Sequence, residues 1–220
     1  MTVIPSGIDI KKFESTNELR KKAKEIRKKY KINDDDFVIG SVGRIASEKS
    51  FDKIISNLVP LTKINNKIKF MLVGDGPELD KLKDMVKDLE LGNNVIFTGL
   101  IDYDLVPSYY NSFDIMVSFS KTETQGMTII EGLASSLPVV CINDTSFREM
   151  VQNAYNGYLF NSDDEFRKYI LELSSNKELY NTMKMNAKNS VYCYSKEVFA
   201  ASVLKVYNMA IQKRKEKKIR

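Results

Sequence analysis

Three consecutive stretches decide how this chain is read: the apolar run Ile115-Met-Val-Ser-Phe119, the segment Glu123-Thr-Gln-Gly-Met-Thr-Ile-Ile-Glu131, and a second apolar run, Val139-Val-Cys-Ile142. Both runs are short, rich in β-branched residues and apolar on successive positions. A strand covered on both faces requires this; a half-exposed strand does not. Between them, a helix beginning near Gln125 places Met127, Thr128 and Glu131 on one face, because residues three and four apart are neighbours on a helix surface. Glu123 lies in the loop before that helix. Both carboxylates and the free N–H groups of the helix start are therefore expected to converge beyond a strand end. A plainer reading, acids favoured in the first turns of a helix, fits the same nine residues. They do not choose between the two.

Outward from this unit the pattern repeats. The runs Phe37 to Val42, Phe70 to Val73 and Val95 to Phe97 precede it, and Asn156-Gly-Tyr-Leu-Phe160 follows as a turn into a sixth strand. Amphipathic stretches at 51–62, 78–91, 103–111 and 125–136 lie between the strands. Strand and helix alternating at this spacing predict an α/β fold: a doubly wound, Rossmann-like parallel sheet of about six strands with helices on both faces. A capping box, Ser15-Thr-Asn-Glu18, is expected to open the first helix, whose inner stripe is Leu19, Ala23, Ile26 and Tyr30. Helices are also expected at 163–173, 177–190 and 197–212.

In such a sheet a ligand binds beyond the carboxyl ends of the strands. The exits are Gly43-Arg44 with Glu48-Lys49, Gly74-Asp-Gly-Pro77, Thr98-Gly99, Ser120-Lys-Thr-Glu123 and Asn143-Asp-Thr145. One edge thus collects glycines, two cations and Glu123, which suits a ligand carrying phosphate and hydroxyls. Gly74-Asp-Gly76 is not a dinucleotide fingerprint, because Leu79 stands where the third glycine belongs. It reads as a tight turn with Pro77 at the first position of a helix. Arg44 and Lys49 are each open to reading as surface cations; together, after a glycine-ended strand, they point to a phosphate, since two fixed charges neutralise a diphosphate without a metal. No acids have the spacing of a tight magnesium site.

Composition narrows the chemistry. The chain has 220 residues and no histidine, which removes the commonest general base and every Ser-His or Cys-His nucleophile. Cys141 and Cys193 are too few for a disulfide framework, and both read as small buried hydrophobes in a reducing cytoplasm. No run of about 18 apolar residues suggests a membrane span, and the N-terminal stretch lacks the features of a secretion signal. The net charge of +5 resides in the terminal KRKEKKIR, residues 213–220; the remainder balances at 28 basic and 28 acidic residues. Nucleic acid is therefore not an expected partner; the tail reads first as a solvated, frayed terminus and second as a contact with an anionic membrane surface.

In this order and spacing, the opening Val3-Ile-Pro-Ser-Gly-Ile-Asp9, Gly43-Arg44 with Lys49, Gly74-Asp-Gly-Pro77, and Glu123 and Glu131 followed by Ala134 to Pro138-Val-Val resemble one family. It is the C-terminal, donor-binding half of retaining glycosyltransferases of the GT-B architecture, family 4. The wording around Glu123 looks most like bacterial enzymes that glucosylate diacylglycerol. The resemblance implies an interdomain linker remnant at 1–12, a nucleotide-sugar-binding domain at 13–205, and the end of the last helix with the basic tail at 206–220. It implies that Arg44 and Lys49 hold the donor diphosphate, that Glu131 accepts from the ribose and that Glu123 binds sugar hydroxyls. Gly43, Gly126, Met127 and Thr128 would line the sugar and phosphate, and Gly99, Leu100 and Ile101 the base. Neither cofactor nor metal is implied, and the donor, as substrate, would be a UDP-sugar such as UDP-glucose. The acceptor would be diacylglycerol or a capsule or wall saccharide, served by an N-terminal acceptor domain absent from this chain. A non-catalytic nucleotide-binding module remains an alternative, and a nucleotide-sugar epimerase a distant one. The enzyme would work in the cytoplasm, at the inner face of the membrane if the tail engages lipid.

Overall fold

The computed structural model describes the chain except Met1, Thr124, Arg220 and the side chains of residues 216–219. Six parallel strands form one sheet: β1 (Phe37–Val42), β2 (Ile68–Val73), β3 (Val95–Phe97), β4 (Ile115–Ser118), β5 (Val139–Ile142) and β6 (Gly157–Phe160). Their order across the sheet is β3-β2-β1-β4-β5-β6. The chain winds outward from β1 to β3, returns to the other side of β1 and winds outward again. The predicted doubly wound sheet is thus present, and its direction reverses between β1 and β4.

Successive strand residues divide between two apolar layers, which explains the unbroken apolar runs. Ile39, Phe70, Leu72, Ile115, Val117 and Val140 enter one core with α2 (Phe51–Ile64), α3 (Leu79–Asp88) and α7 (Asp163–Ser175). Val38, Met71, Val73, Met116, Val139 and Cys141 enter the other. That second layer is closed by α1 (Asn17–Lys29), α4 (Val106–Tyr110), α5 (Met127–Ala134) and α8 (Lys177–Ser190). A short α6 (Thr145–Arg148) and the long α9 (Lys196–Ile219) complete the helices.

Several local expectations need correction. The first helix is capped by Thr16, whose hydroxyl accepts from the Leu19 amide at 3.2 Å, and not by Ser15, whose carbonyl is taken by the Arg20 guanidinium. Pro77 does not open α3; Glu78 is its cap and Leu79 its first residue. The helix before β4 is shorter than expected, with a 3₁₀ turn at Tyr103–Leu105 leading into α4. Cys141 is buried, but Cys193 is exposed on the turn before α9. The opening segment is tied down at its end, where the Ile8 amide donates to Tyr194 and the Ile8 carbonyl accepts from Lys196, both at 2.9 Å. Helix α9 carries the start of the basic tail; Arg220 and the side chains of 216–219 lie outside the described residues.

Candidate functional site

The site is assembled by the sheet reversal. Where the chain leaves β1 and β4, two neighbouring strands send their exit loops apart, and the gap beyond their carboxyl ends is the usual ligand position in this topology. The β1 exit runs through Gly43 and exposed Arg44 to a 3₁₀ turn, Ser47–Lys49, that leads into α2. The β4 exit runs through Ser120 and Glu123 to Gly126, which caps α5 with a left-handed backbone, φ +53°. Across the gap the Lys49 ammonium hydrogen-bonds the Glu123 carboxylate. Both side chains are mostly buried, 26% and 18% exposed, so the pair is shielded more than a surface salt bridge.

Two cavities open at this edge of the sheet, one of them reaching Glu123. One, of about 340 Å³, is walled by Glu123, Gln125 and Met127 from the α5 side, by Thr145, Ser146 and Glu149 around α6, and by the opening segment Val3 to Ser6. The other, of about 330 Å³, is walled by Gly43, Arg44, Gly74, Asp75, Leu100 and Ile101 at the exits of β1, β2 and β3. Of the predicted site residues, Glu123 and Met127 line the first hollow and Gly43, Arg44, Leu100 and Ile101 the second, while Lys49, Gly99, Gly126, Thr128 and Glu131 line neither. Gly99 supports the second hollow from behind, its carbonyl accepting from the Gly74 amide at 3.2 Å. Leu100 is 80% exposed, an apolar side chain held in solvent at the mouth.

The two carboxylates have different partners. Glu131 lies one turn inside α5, on the side that packs against α4, whereas Glu123 lies before the Gly126 turn. The Tyr110 hydroxyl donates to Glu131 Oε2 at 2.8 Å. Burial pushes the Glu131 carboxyl above its usual range, and the Tyr110 donation and the Lys12 charge partly offset that rise. Lys12 stands 4.0 Å from the Tyr103 ring centroid and 3.1 Å from Asp104. At the start of α5 the Gly126 carbonyl accepts from Ile129 at 2.8 Å and from Ile130 at 3.3 Å. The amides of Met127 and Thr128, in the first turn, point back along the helix axis toward the gap, where they and the helix dipole favour a negative group.

Sequence reasoning overlooked Lys12 and Tyr110, and took Asp75 and Val3 to Ser6 only as parts of an exit loop and a linker, not as cavity walls. Tyr110 alone carried a usable signal, since a buried tyrosine hydroxyl needs a partner. The edge carries two cations, two carboxylates with different partners and a helix start, groups that suit a ligand bearing hydroxyls and phosphate. Among the described residues no three histidine, cysteine or acidic side chains cluster as a metal site would require. None of the described helices is long and apolar enough to cross a membrane.

Comparison with known proteins identifies the fold and the family. The chain is 35% identical over 219 residues to the alpha-monoglucosyldiacylglycerol synthase of Acholeplasma laidlawii, covering 98% of this chain and 54% of that protein. It is 33% identical to the protein of the same name from Streptococcus pneumoniae, covering 95% of this chain and 47% of that one. The chain thus spans about half the length of the curated relatives it matches. Anabaena Alr3699/HepE, crystallised with UDP, shares the fold at a TM-score of 0.84 and 22% identity, over 94% of this chain and 57% of its own. The C-terminal domain of a glycosyl transferase group 1 family protein, LpcC, from Francisella tularensis matches with a TM-score of 0.74 and 24% identity, over 86% of this chain and all of its own. The fold is accordingly the Rossmann-like C-terminal half expected from the sequence. The family model for glycosyl transferases group 1 matches residues 22–190, most of the chain, and the protein belongs to that family.

Proposed function

We propose that this chain is the donor-binding domain of a retaining, metal-independent glycosyltransferase that takes UDP-glucose and glucosylates diacylglycerol. The observation that carries the reading is the sheet reversal itself, which brings the exit loops of β1 and β4 together so that Lys49 meets Glu123 just before the start of α5. The relatives from Acholeplasma and Streptococcus, both named alpha-monoglucosyldiacylglycerol synthase, support the acceptor and the sugar. Cleavage of the sugar–phosphate bond leaves a diphosphate with extra negative charge beside a cationic sugar ring. Arg44, Lys49 and the α5 start stabilise that diphosphate where the charge develops. Glu123 receives the sugar hydroxyls, Glu131 the ribose hydroxyls, and Gly99 to Ile101 lie along the base. Acceptor binding belongs to an N-terminal domain.

Calorimetric titration with UDP tests the assignment. Arg44→Ala is expected to weaken binding about tenfold, the size of a charge-assisted hydrogen bond. Glu131→Ala is expected to weaken UDP and UDP-glucose alike. Excess EDTA should change neither affinity. Unaltered UDP binding in both variants would remove the nucleotide assignment.

The basic end, residues 213–220, supports a location at the inner membrane face. Vesicles rich in anionic lipid should retain the chain at low salt, with roughly 1 kcal/mol per basic residue near the surface. Deleting 213–220 should release it, and equal retention with and without the tail would reject this role.

A further inference from the structure

We infer that Tyr110 is a positioning residue for Glu131, holding its carboxylate in the one orientation that receives a diol such as the nucleotide ribose; this rests on the reading of Glu131 proposed above. The geometry is specific to this tyrosine. Its hydroxyl sits 2.8 Å from Glu131 Oε2 and 3.3 Å from the Thr128 carbonyl, so it bridges the side chain and the backbone of the first turns of α5. The ring is fully buried and is fixed edge-on between Phe13, at 5.8 Å, and Phe113, at 6.0 Å. The adjacent Tyr109 faces a different way and meets Tyr30 instead.

A carboxylate has two oxygens, and one is committed here. With Oε2 held from behind by a buried donor, Oε1 is left for a ligand hydroxyl. Freezing that rotamer before binding removes an ordering cost otherwise met when the ligand arrives. Burial and the nearby Glu131 charge raise the Tyr110 phenol well above its usual range, so it remains a donor at every working pH. The donation also opposes the burial that favours the neutral acid on Glu131. The other ionisable groups near the pair are Lys12, whose charge acts on Glu131, and Tyr103. Tyr110 would thus fix both the direction and the charge of the acceptor.

The test compares Tyr110→Phe, Glu131→Ala and the double variant, with UDP as the probe, by calorimetry between pH 5 and 8. Tyr110→Phe is expected to weaken UDP about three- to tenfold. Without the donor the Glu131 carboxyl rises further, so the fall in affinity on the acid side should begin at higher pH than in the parent chain. The double variant should bind no worse than Glu131→Ala alone, since both changes remove one interaction. If Glu131→Ala weakens UDP but Tyr110→Phe moves neither the affinity nor the acid limb, the positioning role is wrong and the ribose assignment stands. If Glu131→Ala has no effect, the ribose assignment itself fails, and this inference with it. A tyrosine that only packs would lower the melting temperature and leave the acid limb in place, which also overturns it. Should Tyr110→Phe not fold, 3-fluorotyrosine at position 110 keeps the volume and strengthens the donor. It must then shift the acid limb to lower pH, and an unmoved limb rejects the proposal.

Discussion

Gly74→Ala is expected to destabilise the chain by on the order of 3–5 kcal/mol, the combined cost of a strained backbone and an overpacked contact. Gly74 directly follows β2 with φ +137°, where a side chain is strained whatever the space. A Cβ there would also stand 2.0 Å from the Gly43 carbonyl oxygen, a backbone atom that cannot swing aside. The two strands are locked together immediately before this point. Val42 pairs with Val73, and the Gly43 amide donates to the Val73 carbonyl at 2.9 Å. Relief therefore requires the exits of β1 and β2 to separate, which moves Gly43 and Arg44 away from Asp75 and opens the cavity they share. Thermal unfolding should show a midpoint lower by roughly 10 °C for a domain of this size, with UDP affinity falling as well. Gly92→Ala provides the control, because a Cβ there meets nothing within 4 Å, and its effect should stay within about 0.5 kcal/mol. A midpoint for Gly74→Ala no lower than that of the control would show that the close approach of the two exits does not constrain the fold.

How far the sequence alone discloses this molecule depends on the range of each interaction. The strands were legible because burial on both faces leaves a local mark, a short unbroken apolar run, and six such marks predict the sheet. Where that mark is interrupted the boundary is lost. β2 begins at Ile68 and not Phe70, since Lys69 breaks the apolar run while its amine reaches the Asn93 carbonyl at 2.9 Å along the sheet edge. The last helix runs well past 212 for the converse reason, because lysine, arginine and glutamate propagate a helix without adding an apolar stripe. The site was legible as a set of exit loops but not as a set of contacts. Lys49 and Glu123 are 74 positions apart, and they meet only because β4 lies beside β1, a fact of strand order that no local pattern carries. Glu131 looked like a partner of Glu123 from eight residues of helix geometry. The position of α4 against α5 turned it toward Tyr110 instead.

The Lys49–Glu123 pair leads to the second large effect, because the two substitutions should move UDP affinity in opposite directions. In the free chain the Lys49 ammonium is already engaged by a carboxylate, so an incoming diphosphate must displace Glu123 before it gains that cation. Lys49→Ala removes a charge-assisted contact to phosphate and leaves Glu123, only 18% exposed, as an uncompensated anion facing the diphosphate. UDP affinity should fall by about 30- to 100-fold, or roughly 2–3 kcal/mol. Glu123→Gln removes the competitor and the repulsion while keeping a similar shape. UDP, which has no glucose to contact residue 123, should then bind about three- to tenfold more tightly, the inverse of a weakened charge-assisted hydrogen bond. UDP-glucose should gain less or lose affinity, because its hydroxyls meet an amide where they would have met a carboxylate. The quantity to follow is the ratio of the UDP to the UDP-glucose dissociation constant, which Glu123→Gln should shift toward UDP. Raising the salt concentration should shrink the UDP gain only modestly, since the pair is largely shielded from solvent ions. If Glu123→Gln weakens UDP itself, Glu123 does not hold Lys49 back from phosphate, and the ion pair serves to prop the gap between β1 and β4 in its ligand-binding shape.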